Sequence, residues 1–177
     1  FQEIDVENSI YEVPIELAKQ DVDKYILEAL NFHVNDIDLR DWHQMIANVI
    51  KPTNQSVVIA VVGKYISLRD AYKSIYEALV HGAMAAGVKI NIHPIEAEDI
   101  ETSGAKSLLK NVHGVLVPGG FGDRGVEGKV AAIRHAREAQ LPFLGICLGM
   151  QCAVIEFARH VKGLEGANSS EFDPDTA

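Results

Sequence analysis

From residue 56 onward, short apolar runs alternate with longer segments of helical periodicity. The first run, residues 57–62, is continuously apolar, which is typical of a strand covered on both faces of a sheet. The pattern predicts further strands and the helices between them, at 69–86, 88–95, 105–110, 112–117, 126–140, 143–146 and 148–161. This alternation predicts an α/β fold, a flavodoxin-like doubly wound parallel sheet with strand order 2-1-3-4, truncated at its C-terminus.

Residues 1–50 have a different pattern, which predicts helices without a sheet of their own. Residues 9–14 indicate a short extended piece stopped by Pro14, and helices follow at 15–31 and 38–50, the second with Asp38 as its N-cap. We therefore expect 1–50 to be the tail of another domain, 51–55 a polar linker, and 56–177 the N-terminal part of the α/β domain. Because the chain starts at Phe1 and has no obvious domain end, we expect a fragment.

The composition excludes several classes of function. A net charge of −9 argues against broad binding of nucleic acid, which needs a basic face. Charged residues interrupt the apolar runs well before the ~20 residues of a membrane span, and the acidic start is not a signal peptide. Cys147 and Cys152 lie five residues apart on one predicted helix, so we expect reduced thiols and a cytoplasmic protein. No Cys or His spacing indicates a metal site.

A cysteine framed by two glycines follows the last predicted strand, as Gly145-x-Cys147-x-Gly149. This is the spacing of a nucleophile elbow, with sulfur in place of oxygen. The next helix directs its free N–H groups and positive dipole end at the sulfur, which favours the thiolate. The alternative is an ordinary buried cysteine, and this is how we interpret Cys152.

An acyl-transfer nucleophile also needs N–H groups for the developing oxyanion. Leu148 supplies one candidate amide, and Gly119 or Gly120, at the exit of the neighbouring strand, supplies the other. Gln151 follows Cys147 by one helical turn and either lines the pocket or binds backbone groups. The glycine-rich segment 121–128 is either a mobile cover in which Arg124 holds an anion or a plain solvated loop. Lys64 ends the first strand near the same edge, facing either phosphate or solvent.

None of the seven histidines is well placed to act as the base that a cysteine hydrolase needs. His160, for example, lies 13 residues along the helix that begins after Cys147, which is about 20 Å away. We therefore expect the base to lie beyond residue 177. The others are His33, His43, His81, His93, His113 and His135.

Residues 117–122 and 144–151 carry motifs that resemble class I (triad) glutamine amidotransferase domains. The surrounding sequence is similar to the CTP synthase family, in the stretches 9–14, 63–66, 70–74, 122–128, 158–161 and 167–172. The resemblance implies that Cys147 attacks the glutamine amide, with Gly120 in the oxyanion hole and Glu171 on the α-amino group. Its other implied positions are Leu148, Gly149, Met150 and Gln151 for glutamine, Phe121, Arg124 and Lys64 for a lid or effector site, and Asp5 and Val6 beside ATP.

The resemblance also implies partners. This fragment would need no cofactor, whereas the full enzyme would use L-glutamine, UTP, ATP and Mg²⁺, with GTP as activator, in a cytoplasmic homotetramer. The family's His-x-Glu pair and distal arginine are absent from these residues, so we expect the chain alone to be incomplete for catalysis. The alternatives are another cysteine-elbow hydrolase or chaperone of the same fold, and a non-catalytic assembly domain.

Overall fold

A computed structural model describes residues 1–33, 35–51, 53, 55–66 and 68–176. Its contacts divide into two units, one of Phe1–Gln55 with His81–Lys89 and one of Ser56–Val80 with Ile90–Ala177. The helices and strands, in chain order, are α1 (Val13–Lys19), α2 (Val22–Ala29), α3 (Arg40–Ile50), β1 (Ser56–Gly63), α4 (Lys73–Ala86), β2 (Lys89–Glu96), α5 (Ala97–Ser103), α6 (Ala105–Leu108), β3 (Gly114–Val117), α7 (Val126–Glu138), β4 (Phe143–Gly145) and α8 (Leu148–His160).

The four strands form one sheet with the order β2-β1-β3-β4. β3 runs parallel to both β1 and β4, with Val61 opposite Leu116 and Leu116 opposite Leu144. The predicted α/β fold and strand order are therefore confirmed. The order places the ends of β3 and β4 side by side, so the loops that leave these two strands meet at one edge of the sheet.

The core of the second unit lies between the sheet and the helices α5, α7 and α8. Its fully buried members include Ala60, Val62, Ile100, Val117, Ala132, Leu148 and Cys152. α7 also packs very closely on α5, because a Cβ at Gly128 would lie 1.9 Å from the carbonyl oxygen of Ala97. Only glycine allows the first turn of α7 to approach the start of α5 this closely.

The N-terminal region differs from the prediction in two places. Residues 9–14 are not extended, because Ser9 and Glu12 form a capping box over a 3₁₀ turn at Ile10–Glu12, and Pro14 lies in the first turn of α1. The predicted helix 15–31 is divided into α1 and α2 by Asp21, whose φ of 55° is left-handed.

Smaller differences follow along the chain. Helix α5 was not expected, and the predicted helix 69–86 starts as a 3₁₀ turn at Arg69–Tyr72. Leu39, not Asp38, is the N-cap of α3, although the Asp38 carboxylate accepts a hydrogen bond from the Arg40 amide at 3.0 Å. Pro52 and Asn54 of the predicted linker lie outside the described residues. In the described part of the chain, the helices are too short or too polar to cross a bilayer.

Candidate active site

Cys147 lies at a strained turn between β4 and α8. Its φ of 52° and ψ of −109° lie in a region that residues other than glycine rarely adopt. Such a conformation costs about 1–3 kcal/mol and persists only where the surrounding structure imposes it. The turn presents Cys147 to solvent, with a free thiol. This is the geometry that the glycine-framed motif predicts.

The two flanking glycines are required by packing. A Cβ at Gly145 would lie 2.6 Å from the carbonyl carbon of Gly149, and a Cβ at Gly149 would lie 2.0 Å from the carbonyl oxygen of Val117. Both distances are far below van der Waals contact. The first turn of α8 therefore rests directly on the backbone of β3 and β4, and this close approach holds Cys147 in its strained conformation.

The loop after β3 reaches the cysteine as expected. The Cβ position of Gly119 is 3.4 Å from the Cβ atom of Cys147, and that of Gly120 is 3.4 Å from Cδ2 of Leu148. Within the described part of the chain, the amides of Gly120 and Leu148 donate to no backbone carbonyl. These two N–H groups belong to the residue after Cys147 and to the loop that contacts the cysteine turn, and an oxyanion needs donors of this kind.

The residues after Leu148 continue the first turn of α8. The amides of Met150 and Gln151 both donate to the carbonyl of Cys147, at 3.0 and 3.1 Å, so these two amides are already used. Gly149 is buried, Gln151 is half-buried and the side chain of Met150 is exposed. Met150 and Gln151 can therefore contribute side chains to a site here, but not free amides.

Two cations lie together where the glycine-rich segment leaves the sheet edge. Nζ of Lys64 donates to the carbonyl of Phe121 at 3.2 Å, and the Arg124 guanidinium pairs with Glu98 at 2.8 Å. Both cations lie over the ring of Tyr65, at 5.5 and 5.8 Å from its centre. The side chain of Phe121 is 81% exposed. The segment is therefore tethered through its neighbours, while its aromatic tip projects into solvent.

Glu98 and Tyr65, which hold these cations, were missed by the sequence analysis. The helix α5 that carries Glu98 was itself not expected. Tyr65 lies in the stretch 63–66 noted above, in which only Lys64 was singled out.

A second thiol and a lysine are buried beneath this edge. Cys152 is fully buried, and burial raises the pKa of its thiol to about 11. The interpretation of Cys152 as a core residue is therefore confirmed. Lys129 is also buried, and its Nζ has no hydrogen-bond partner among the described residues. Burial lowers the pKa of this ammonium.

Glu171 lies in a folded turn near the end of the described chain, with its side chain exposed. Its amide donates to Oγ of Ser169 at 3.2 Å, and the amide of Phe172 donates to the carbonyl of Ser169 at 2.9 Å. Phe172 packs against the core. The turn is thus fixed on both sides of Glu171, and the carboxylate remains available.

Two predicted positions belong to the other unit. Asp5 and Val6 line a cavity of about 280 Å³. Four carboxylates lie around this cavity, from Asp5, Glu7, Glu12 and Glu16.

The described histidine contacts do not involve the thiol. Nε2 of His81 lies 2.6 Å from the hydroxyl of Tyr11, Nδ1 of His113 accepts from the Val58 amide at 3.0 Å, and Nδ1 of His160 lies 3.1 Å from the Glu156 carbonyl oxygen. No histidine hydrogen-bonds Cys147 within the ranges that the structure describes. The thiol therefore has donors around it and no assigned base.

Known proteins are similar in sequence to nearly all of the chain. The CTP synthase of Clostridium beijerinckii is 55% identical over 175 residues, which are 99% of this chain and 32% of that protein. The CTP synthase of Caldanaerobacter subterraneus subsp. tengcongensis is 52% identical over 172 residues, or 97% of this chain and 32% of that protein. The chain thus spans about a third of the length of the curated relatives it matches.

A solved structure and a family model agree with these relatives. The glutaminase domain of Trypanosoma brucei CTPS with bound acivicin superposes with a TM-score of 0.64 at 42% identity, over 68% of this chain and 47% of that one. The family model for class-I glutamine amidotransferase matches residues 67–173. This range contains the cysteine turn, the Gly119-Gly120 loop and the Glu171 turn. The chain therefore belongs to the class-I glutamine amidotransferase family.

Proposed function

We propose that Cys147 is the nucleophile of a glutaminase reaction that releases ammonia from L-glutamine. One observation carries the proposal: the exposed thiol lies at a strained turn that the Gly119-Gly120 loop contacts, and the amides of Gly120 and Leu148 donate to no backbone carbonyl of the described residues. A thiolate with two backbone donors beside it is equipped to attack a carbonyl carbon and to stabilise the resulting oxyanion.

The reaction proceeds in two steps. The thiolate sulfur of Cys147 bonds to the side-chain amide carbon of glutamine, and the carbonyl oxygen becomes an oxyanion held by the amides of Gly120 and Leu148. Collapse breaks the C–N bond and releases ammonia, whose extra proton comes from a general acid, leaving a glutamyl thioester. Water then attacks the thioester and regenerates the thiol with release of glutamate. The proton carrier is not assigned to a residue of this chain.

The rest of the substrate is held by the neighbouring turn and helix. Met150 and Gln151 would offer their side chains to the substrate, whereas the buried Leu148 and Gly149 would form the floor of the site. The Glu171 carboxylate is free to pair with the α-ammonium group of the amino acid. Recognition of both ends of glutamine would exclude shorter amides, because these cannot reach the thiol and the carboxylate together.

The ammonia would be used to convert UTP to CTP, since the relatives are named CTP synthases. That reaction consumes ATP with Mg²⁺, and we infer it for a cytoplasmic homotetramer that contains this chain. Lys64 and Arg124 fit the phosphates of a GTP activator by charge, with Phe121 as a stacking surface. Arg124 must first leave Glu98 for this to happen.

The cavity at Asp5 and Val6 does not fit a polyphosphate. Its four carboxylates repel phosphate oxygens, and among the described residues no group of three or more His, Cys, Asp or Glu side chains could hold a metal ion. A contact between this cavity and ATP would therefore involve its backbone and the uncharged base alone.

Labelling of the cysteines tests the glutaminase proposal. In the natural protein that contains this chain, acivicin or a glutamine-analogue diazoketone should modify Cys147, as found by peptide mass spectrometry, and L-glutamine should protect it. Cys152→Ala is the matched control and should be labelled like the wild type, since its thiol is buried, whereas Cys147→Ser should not be labelled.

Other outcomes would identify other functions. Modification of Cys147 by iodoacetamide without any reaction with the glutamine analogues would indicate a different cysteine-elbow hydrolase or a chaperone. A Cys147→Ala protein that retained every activity of its parent would indicate an assembly role.

A further inference from the structure

Arg159, in the last turn of α8, joins two segments that the proposed site needs. Its Nε donates to the carbonyl oxygen of Ala167 at 2.6 Å, and its Nη1 donates to both carboxylate oxygens of Glu127 at 2.9 Å. Ala167 lies two residues before the turn at Ser169–Phe172 that carries Glu171, and Glu127 lies in the first turn of α7, within the glycine-rich segment 121–128.

The arginine is held in place more firmly than an ordinary surface residue. Only 18% of its side chain is exposed, whereas the side chain of its partner Glu127 is 63% exposed. A guanidinium is a rigid planar fork, so two donors aimed at two different acceptors fix the distance between those acceptors. Arg159 therefore sets the position of the Ala167 carbonyl relative to the start of α7.

Hydrogen bonds in the segment after Ala167 connect it with the turn that carries Glu171. The amide of Asn168 donates to Oγ1 of Thr176 at 2.9 Å, and Ser169 accepts from the amides of Glu171 and Phe172 through its side chain and its carbonyl. Hydrogen bonds thus connect Asn168 with Thr176, and Ser169 with Glu171 and Phe172. We therefore expect a shift at Ala167 to displace the backbone that carries the Glu171 carboxylate.

We propose that Arg159 is a positioning residue for glutamine, acting through the turn that carries Glu171. This inference rests on the proposed glutaminase function, and it adds a residue that does not touch the substrate. It also links the glutamine turn to the glycine-rich segment, because the same guanidinium holds Glu127 two residues after Gly125.

The test compares a glutamine analogue with a general thiol reagent on the natural protein that contains this chain. In Arg159→Met we expect the rate of Cys147 labelling by acivicin to fall about tenfold or more, the size expected when a charge-assisted hydrogen bond is lost. The rate of labelling by iodoacetamide should stay within about twofold, because the Cys147 turn does not depend on Arg159. KM for glutamine should rise, while synthesis driven by added ammonium chloride should not change.

Two further variants separate positioning from folding. Arg134→Met removes an arginine of α7 that pairs with Glu138 at 2.8 Å, and it should leave both labelling rates unchanged. In a Glu171→Gln background, Arg159→Met should cause little additional loss, because the two residues act through one contact. Arg159→Lys should restore part of the acivicin rate, since it keeps the charge but has no fork.

Each contrary result has a distinct meaning. Wild-type acivicin labelling in Arg159→Met, or an equal fall with iodoacetamide, would overturn the positioning role and leave the glutaminase proposal intact. Full additivity with Glu171→Gln would also overturn it. A wild-type protein that acivicin does not label would remove the proposed function and this inference together.

Discussion

At the scale of single residues, the site depends on close backbone contacts more than on side-chain chemistry. Gly149 and Gly145 allow α8 to pack directly on two strands, and this close packing holds Cys147 at a φ of 52°. The sequence pattern around the cysteine contained this information because no other residue can occupy the two flanking positions. Residue-level motifs are reliable where sterics leave a single choice.

Gly149→Ala should lower the free energy of unfolding by about 2–3 kcal/mol, because its new methyl group would overlap the Val117 carbonyl. Urea denaturation measures the change. The control is Gly82→Ala in α4, where nothing lies within 4 Å of the added Cβ, and this variant should gain up to about 1 kcal/mol from helix propensity. Equal midpoints for Gly149→Ala and the wild type would show that α8 can move away from β3.

The stability of the fold should fall at alkaline pH because of Cys152. Burial raises the pKa of its thiol from 9.0 to about 11, so between these values the folded chain keeps a proton that the unfolded chain has lost. The free energy of unfolding therefore decreases as the pH rises through this window. By pH 11, Cys152→Ala should remove about 2 kcal/mol of that decrease, since each pKa unit corresponds to about 1.4 kcal/mol and the folded thiol is itself half ionised at this pH.

Urea titrations at pH 7, 9, 10 and 11 would measure this dependence. Wild type and Cys152→Ala should show the same slope from pH 6 to 8, where this thiol is protonated in both states. Identical slopes up to pH 11 would contradict the assigned burial.

At the scale of elements, an ion pair with a buried carboxylate joins α7 and α8, in addition to the Arg159–Glu127 pair. The Glu156 carboxylate is almost fully buried, and the Arg137 guanidinium donates to both of its oxygens at 2.8–3.2 Å. Nδ1 of His160 lies 3.5 Å from the same carboxylate. The pair connects the last turn of α7 to the middle of α8. The first turn of α8 is positioned instead by the close contacts of Gly145 and Gly149.

Arg137→Met should destabilise the chain strongly, because Glu156 would remain buried without its main partner. Arg134→Met, on the same helix with a solvent-exposed partner, should have a much smaller effect. Adding Glu156→Leu to Arg137→Met should recover most of the loss, since the uncompensated charge is then gone. Thermal denaturation of the four proteins measures these differences, and an unrecovered double variant would show that packing, not charge, is the cause.

The strand order could be predicted from the sequence, and several helices could not. The order follows from alternation and handedness, which are general properties of parallel sheets. Helix α5 was missed because it is acidic and only seven residues long, and because its close contact with Gly128 is not visible in the sequence. The start of α1 was missed although Ser9 and Glu12 form a recognisable capping box, since Pro14 was taken as a stop instead of a helix start.

The candidate site, like the fold, could be predicted from the sequence only in part. Cys147 and the Gly119-Gly120 loop were placed correctly beside each other because they follow neighbouring strands. Arg159 was not singled out, since its partners lie 8 and 32 residues away and no spacing connects them. Tertiary contacts of this kind leave no periodic signal.

At the scale of the whole molecule, β4 is the outer strand of the described sheet and is poorly covered. The side chain of Leu144 at its centre is 56% exposed, and Ile146 just after it is 40% exposed. An apolar outer strand is a template for pairing with another chain. We therefore expect the isolated chain to self-associate as its concentration rises.

Leu144→Lys should weaken that association, because a charge on an outer strand opposes pairing. Sedimentation velocity over a range of concentrations measures the effect, and the melting temperature should change little. The control is Leu164→Lys, which replaces a leucine that is 59% exposed but lies outside the sheet. If both substitutions reduced association equally, general hydrophobicity and not the strand would be responsible.

The uncovered strand β4 has a practical consequence for anyone who purifies this chain. Loss of the monomer in storage should increase with protein concentration, because pairing through β4 requires two molecules to meet. Dilute stocks and brief concentration steps would then preserve the monomer.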